Sequence, residues 1–499
     1  MLFPSGEFLF VYLPIVLAGF FLIARLAGMQ AAAAWLTLAS FVFYGFWRVD
    51  DIPLLTASIV FNYVAGRAIQ EHSPGARISR KSLLVGALVV NLALLAYFKY
   101  ANFLLETFGF ITGTAVDAVD VTLPIGISFF TFTQIAYLVD SYAGKVRERN
   151  PLHYALFVTY FPHLIAGPVL HHADMMPQFA RHETYRPVMD NLLLGVAFLA
   201  LGLAKKVLIA DSAAPIANEV FDAVGRGPVD TLDAWRGIVA YTVQIYFDFS
   251  GYSDMAVGLS LMFGVRLPYN FDSPYKATSI IEFWRRWHMT LSRFLRDYLY
   301  VALGGNRRGP VRRYMNLAVT MLLGGLWHGA SWTFVAWGAL HGAFLIVNHG
   351  WRHLGAPLVS RLPFAATPLA ARTGVVLSTA LTLLCVMIAW VFFRAGSFAD
   401  ATRILGAMAG MDAGASASPA ALASGPWLWL AAAMGVALLA PNSQQLVDQR
   451  LRPLLARAAS MRGVDLAKGA SIGTAGVVIV MLALVSASRD VSEFIYFNF

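Results

Sequence analysis

The chain has 499 residues, of which 58% are hydrophobic and only 13% charged, with a formal net charge of +9. Soluble domains carry nearer one quarter charged residues, so this composition excludes an ordinary soluble enzyme. The single cysteine, Cys385, excludes an intrachain disulfide and a cysteine-based zinc site, and the basic surplus sits in short loops, as in membrane proteins, rather than in a patch made for nucleic acid.

Apolar runs recur along the chain at Phe8–Ile23, Leu83–Phe98, Asn191–Ile209, Val375–Phe393 and Ile472–Val485. Each approaches the ~20 residues that cross a bilayer, and the pattern predicts an all-α polytopic membrane protein with roughly ten to twelve spans. The first basic residue, Arg25, follows the first run. That run therefore reads as a retained span with its N-terminus outside, since a signal peptide needs basic residues before its apolar core. The loops with Arg67, Arg77, Arg80 and Lys81, and with Lys145, Arg147 and Arg149, are basic, whereas 107–121 has neither Lys nor Arg. The bias places the first two in the cytoplasm and the third outside. Arg307, Arg308, Arg312 and Arg313 mark another cytoplasmic surface, and the basic segment 445–468 a last one, which leaves the C-terminus outside. Segment 411–425, rich in small residues, reads as a loop. There is no internal repeat and no boundary of a separate soluble domain, so 1–499 reads as one integral membrane domain, its core at about 123–349 and its aromatic tail at 493–499.

Between Thr242 and Leu340 the apolar runs shorten and polar clusters interrupt them. Irregular backbone at membrane depth is tolerated only where it is buried in protein or lines a cavity, so a site is expected here. In "QIYFDFSGYSDMAVGL", Asp248, Ser250, Ser253 and Asp254 are expected to hold Arg or His side chains or to cap a broken helix. In "SIIEFWRRWHMTLSRFLRDYLY", Ser279 and Glu282 form a capping box that starts a helix. On a continuous helix Arg285, His288, Ser292 and Arg296 share one stripe. That stripe suits either an interfacial helix against lipid headgroups or the wall of a cytoplasmic funnel. The turn "LGGNRRGP" can offer backbone N–H groups, Arg307 and Arg308 to phosphate, or serve only as a positive loop.

"GGLWHGASW" places His328 about two turns into an apolar run, where Gly324, Gly325 and Gly329 allow close approach and Trp327 and Trp332 flank the ring. A buried imidazole beside a cavity is a good general base, and a histidine bonded across two helices is the plainer alternative. His341, thirteen residues on, does not make a metal pair with it, and His171, His172 and Asp174 lack strong metal-ligand spacing, so no metal site is expected. The tail "SEFIYFNF" fits an aromatic belt, or folds back to present Tyr496.

Seven ordered stretches together resemble the membrane-bound O-acyltransferase family. They are "LPIGISFFTF", "FPHLIAGP", "GLAKKVLIAD", "QIYFDFSGYSDMAVGL", "EFWRRWHMTLSRFLRDYLY", "LGGNRRG" and "GGLWHGASW", and the tail matches too. The likeness is nearest the bacterial alginate O-acetylase branch, which includes relatives acting on peptidoglycan and cellulose. The resemblance implies a ring of about eleven transmembrane helices around a thin tunnelled centre with re-entrant and interfacial helices, ~20 residues being needed for each span. It implies His328 as the catalytic residue and His288 as a second position nearer the cytoplasm. Arg285, Ser292, Arg307, Arg308 and Trp327 are the candidates for donor binding. It further implies acetyl-CoA or another acyl thioester as donor substrate with no bound cofactor, and the bacterial inner membrane as location. A periplasmic SGNH-type partner would pass the acetyl group to a polysaccharide, with Tyr496 as the acyl carrier between the two. A transporter, or a scaffold that only recruits the partner, is the alternative without acyl-transfer chemistry. The paired broken helices of many transporters are absent from the pattern.

Overall fold

The computed structural model describes residues 1–73, 77–165, 167–359, 367–411, 417–459 and 494–495. Among these every regular element is helical. Five helices are long and apolar enough to cross a membrane: Phe8–Ala27, Val49–Gln70, Arg80–Thr112, Met189–Ala223 and Pro368–Arg394. Ser424–Leu439 and Ser443–Arg457 pass the same test only together. The chain is therefore a multi-pass membrane protein. The expected span at Ile472–Val485 lies outside the described residues, as does Tyr496.

Helix ends follow local chemistry. Ser79 caps Arg80–Leu95 through a bond from Ser82 N at 3.0 Å. Asn150 and Thr367 cap helices that begin with Pro151 and Pro368, whose missing N–H costs nothing at a first turn. Gly113, left-handed at φ 68°, stops the helix Ala101–Thr112, so the external loop expected from residue 107 begins only at Gly113. Part of the 411–425 stretch is also ordered: Ser418 N and Oγ donate to Asp233 at 2.8 and 2.7 Å and start a short helix at Pro419.

The chain forms two compact units. The first comprises 1–204, 251–269 and the described residues after 442. Its helices are apolar outside and polar inside, as a lipid solvent requires. Leu22, Leu26, Val60, Val64 and Val89 are exposed, whereas Asn62, Asn91 and Gln134 are buried. Asn62 and Asn91 donate to one another at 3.1 and 2.7 Å, and Gln134 donates to Ser58 Oγ at 2.9 Å. His172 Nδ1 lies 3.3 Å from Asp140 Oδ2, so its ring faces a carboxylate in the interior. Asp254 accepts from Ser443 Oγ at 2.5 Å, a side-chain bond and not a helix cap, because the helix expected to break at this cluster runs unbroken from Thr231 to Met262.

The second unit comprises 205–250 and 270–442. Lys206, almost fully buried, sits 2.8 Å from both Asp211 and Asp248. The carboxylate at Asp248 thus holds a lysine rather than the Arg or His the sequence suggested. Three further anchors fix the segment 270–276. Tyr275 Oη donates to Thr242 O at 2.7 Å, Lys276 Nζ to Ala440 O at 2.6 Å and Asn442 Nδ2 to Asp272 Oδ1 at 2.8 Å. The helices Gly309–His328 and Trp332–Val359 form a tight hairpin. A Cβ on Gly325 would fall 2.3 Å from Phe334 O and one on Gly338 2.4 Å from Met321 O, so both positions require glycine for the backbones to meet.

Candidate active site

His328 is the last residue of its helix rather than an interior one. Gly329, extended at φ −162°, ends the helix, and Ser331 Oγ accepts from Thr333 N at 3.3 Å to begin the next. A helix C-terminus carries partial negative charge, which stabilises positive charge as it develops on the ring during proton uptake. The ring is 3% exposed. Trp327, Trp337 and Phe393 enclose it at centroid distances of 4.9, 5.0 and 5.2 Å. Trp332, expected as the other flank, is instead more than half exposed. Trp337 and Phe393 take that place.

His288 reaches the same enclosure by a break in the chain. The continuous helix expected through Arg285, His288, Ser292 and Arg296 does not form. Ile280–Arg286 ends, Trp287 is extended, and His288 is left-handed at φ 43° before Met289–Phe294 resumes and passes into a π-helical turn, Leu295–Tyr300. The left-handed region is unfavourable for a residue with a Cβ, so the surroundings must impose it. They do so through the segment 270–272. Asp272 N donates to Arg286 O and Met289 N donates to Asn270 O, both at 2.9 Å. The kink turns His288 away from the arginine stripe into the interior. It is fully buried, 6.4 Å from the His328 centroid and 4.7 Å from Phe249. Trp327, expected at the donor, packs against both histidines. His341, separated from His328 by thirteen residues, joins the cluster through Trp337, whose ring lies 4.8 Å from it. Trp284 Nε1 donates to His341 Nδ1 at 3.2 Å. An indole N–H only donates, so the His341 proton resides on Nε2.

On the other side of the kink a cavity of about 530 Å³ opens. Arg285, Ser292, Arg293, Arg296 and His349 line it, with Trp284 and Met289. This volume is within the usual range for small-molecule sites. Met289 adjoins His288, and Met321, also in the wall, lies about two turns before His328 on the same helix. Arg286 is committed to Glu282 at 2.8 Å and Asp272 O at 3.1 Å, and Arg296 to Asp297 at 2.7 Å. The capping box forms in modified shape, because Glu282 N donates to Ser279 Oγ at 3.2 Å while its carboxylate accepts from Thr278 N and Oγ1, both at 2.8 Å. Partial burial pushes the Glu282 carboxyl up, but the Thr278 bonds and Arg286 outweigh it and hold the group below the usual range. Arg285 makes no ion pair or hydrogen bond among the described residues and stands open to an anion. Arg307 and Arg308 are exposed on the turn after the π-helical segment and do not line the cavity.

The tail is described only at Phe494 and Ile495. Phe494 is buried and stacks on Tyr252 at 4.5 Å. No signal in the sequence marked Asn270, Trp284, Trp337 or Phe393. The positive φ that brings His288 inward carries no glycine to announce it.

The membrane-bound O-acyltransferase family model matches residues 87–390, more than half of the chain. The chain is 42% identical over 438 residues to the peptidoglycan O-acetyltransferase of Helicobacter pylori, covering 83% of this chain and 80% of that protein. It is 45% identical over 414 residues to the "Probable alginate O-acetylase" of Azotobacter vinelandii, covering 82% and 78%. The teichoic acid D-alanyltransferase of Streptococcus thermophilus is 28% identical over 240 residues, 46% of this chain and 57% of that protein.

Proposed function

This chain belongs to the membrane-bound O-acyltransferase family and is an acyltransferase, and we propose that it takes an acetyl group from cytosolic acetyl-CoA and passes it across the bacterial inner membrane. The acetyl group then O-acetylates an exported or cell-wall polysaccharide, alginate foremost, with cellulose or peptidoglycan as the other members of the class. The observation that carries this reading is the shared frame of the two halves. The kinked segment 280–300 presents His288 to His328 on one side and three arginines to a cavity on the other.

In this reading the arginines hold the phosphates of the donor, charge-assisted bonds being the strong ones. His328 takes the proton of an acceptor hydroxyl. The hydroxyl oxygen attacks the thioester carbonyl carbon, the C–S bond breaks, and the CoA sulfur leaves as thiol with the proton that His328 returns. A phenol of ordinary pKa, about 10, needs such a base at neutral pH. Tyr496 is the proposed acceptor and carrier, handing the acetyl group to a periplasmic SGNH-type partner. Phe494, two residues earlier, is itself buried, which supports a tail that folds back. About eleven spans in a ring around a thin tunnelled centre, at ~20 residues each, would give this reaction its passage.

The donor half is tested by Arg285→Gln. It is expected to raise the KM for acetyl-CoA by about tenfold, the loss of one charge-assisted bond, and to leave kcat near wild type. Initial rates over a range of acetyl-CoA check this. An unchanged KM would remove the cavity from donor binding.

A further inference from the structure

Asn270 is joined to the kink by four bonds at one residue. Its carbonyl oxygen accepts from Met289 N. Its side-chain Oδ1 lies 3.0 Å from His288 Nδ1, 3.3 Å from Thr290 N and 2.9 Å from Thr290 Oγ1. A backbone N–H can only donate, so the atom facing Thr290 N is the amide oxygen and not the amide nitrogen. An amide oxygen can only accept. The proton between Asn270 and His288 therefore belongs to His288 Nδ1, and in the neutral ring the lone pair is on Nε2. His341 is held the other way, because Trp284 donates to its Nδ1.

We propose that Asn270 is a positioning residue that fixes His288 as the Nδ1–H tautomer, so that Nε2 meets the reacting groups as an acceptor. The inference rests on the acyl-transfer reading for its function, but not for its geometry. It gives His288 a definite part. A ring with its lone pair on Nε2 cannot donate a proton there to the leaving sulfur; it can accept a hydrogen bond from the acceptor hydroxyl or from the His328 ring beside it. Proton return to CoA is then left to His328. The left-handed backbone at His288 belongs to the same device, since Asn270 binds Met289 and Thr290, the two residues that follow the kink, as well as the ring itself. Sequence spacing hides it, because Asn270 precedes His288 by eighteen residues and lies outside every helix.

The test is 15N NMR of histidine-labelled protein in lipid, with the His288 signals identified by their loss in His288→Gln. Wild type is expected to show a protonated Nδ1 and an unprotonated Nε2 for His288, and the reverse pattern for His341 as an internal reference. Asn270→Leu is expected to abolish the fixed pattern at His288 and to lower kcat by about 100-fold at unchanged KM for acetyl-CoA, the lower range of what a placed acid–base group contributes. Asn270→Asp retains an acceptor in the same place, as the carboxylate of a catalytic triad does for its histidine. It is expected to preserve the Nδ1–H pattern and to recover kcat to within about tenfold of wild type. A proton on Nε2 of His288 in wild type would overturn the proposal, and so would full kcat in Asn270→Leu while His288→Gln is inactive. Full kcat in His288→Gln with the expected tautomer in wild type would uphold the Asn270 geometry and sink the catalytic reading of His288 instead.

Discussion

Replacing His328 by alanine is expected to lower acyl transfer by about 1,000-fold, the middle range for a general base. The protein should still insert, because the ring makes its contacts with other aromatic residues rather than with the helix ladder. The deletion leaves a void among Trp327, Trp337 and Phe393, which costs about 2–3 kcal/mol in a packed interior. His328→Gln fills most of that volume and lacks the base, and is expected to lose as much activity with less loss of stability. Polysaccharide-bound acetate in cells and thermal unfolding in detergent read the two effects separately. Acetate at wild-type level in both variants would reduce His328 to a packing residue.

The largest stability effect is expected at Lys206. Its ammonium bridges Asp211 and Asp248 at 2.8 Å, with Lys206 and Asp248 almost without solvent contact. Lys206→Met keeps most of the side-chain volume but strands two carboxylates beside one another. Removing one partner from a buried charge cluster costs about 3–5 kcal/mol. Adding Asp211→Asn and Asp248→Asn to the same chain removes the stranded charge, and is expected to restore most of the loss. Midpoints of thermal unfolding of the single and triple variants in one detergent check this. Equal midpoints for the two would mean that the cluster is solvated and not a structural anchor.

The parts of the molecule that composition dictates are legible in the sequence. Apolar length marked Phe8–Ala27, Met189–Ala223 and Pro368–Arg394, because a bilayer imposes one physical length on every span. Ser279 marked a helix start, since an orphan N–H needs an acceptor wherever it is. Gly325 marked the close approach of two helices, although its partner Gly338 carried no such signal. What was not legible depended on contacts between distant segments. A heptad-like stripe through Arg285, His288, Ser292 and Arg296 predicts one helix face, and the arginines and Ser292 do share a cavity. His288 leaves that face only because Asn270 and Asp272 bind the backbone on either side of it. Asp248 was readable as needing a partner, but spacing gave no reason to choose Lys206. Likewise Trp284 and Trp337 look like any membrane tryptophan until the ring of His341 is found between them.

The central claim is that His328 drives removal of an acetyl group from a cytosolic thioester. Its most direct measurement is a single turnover of the purified protein in liposomes with acetyl-CoA, in wild type and His328→Gln. Released CoA is quantified, and the protein is then mapped by peptide mass spectrometry. The account predicts CoA release by wild type with one acetyl group on the C-terminal peptide bearing Tyr496, and neither in the variant. Equal CoA release by the two proteins would contradict it.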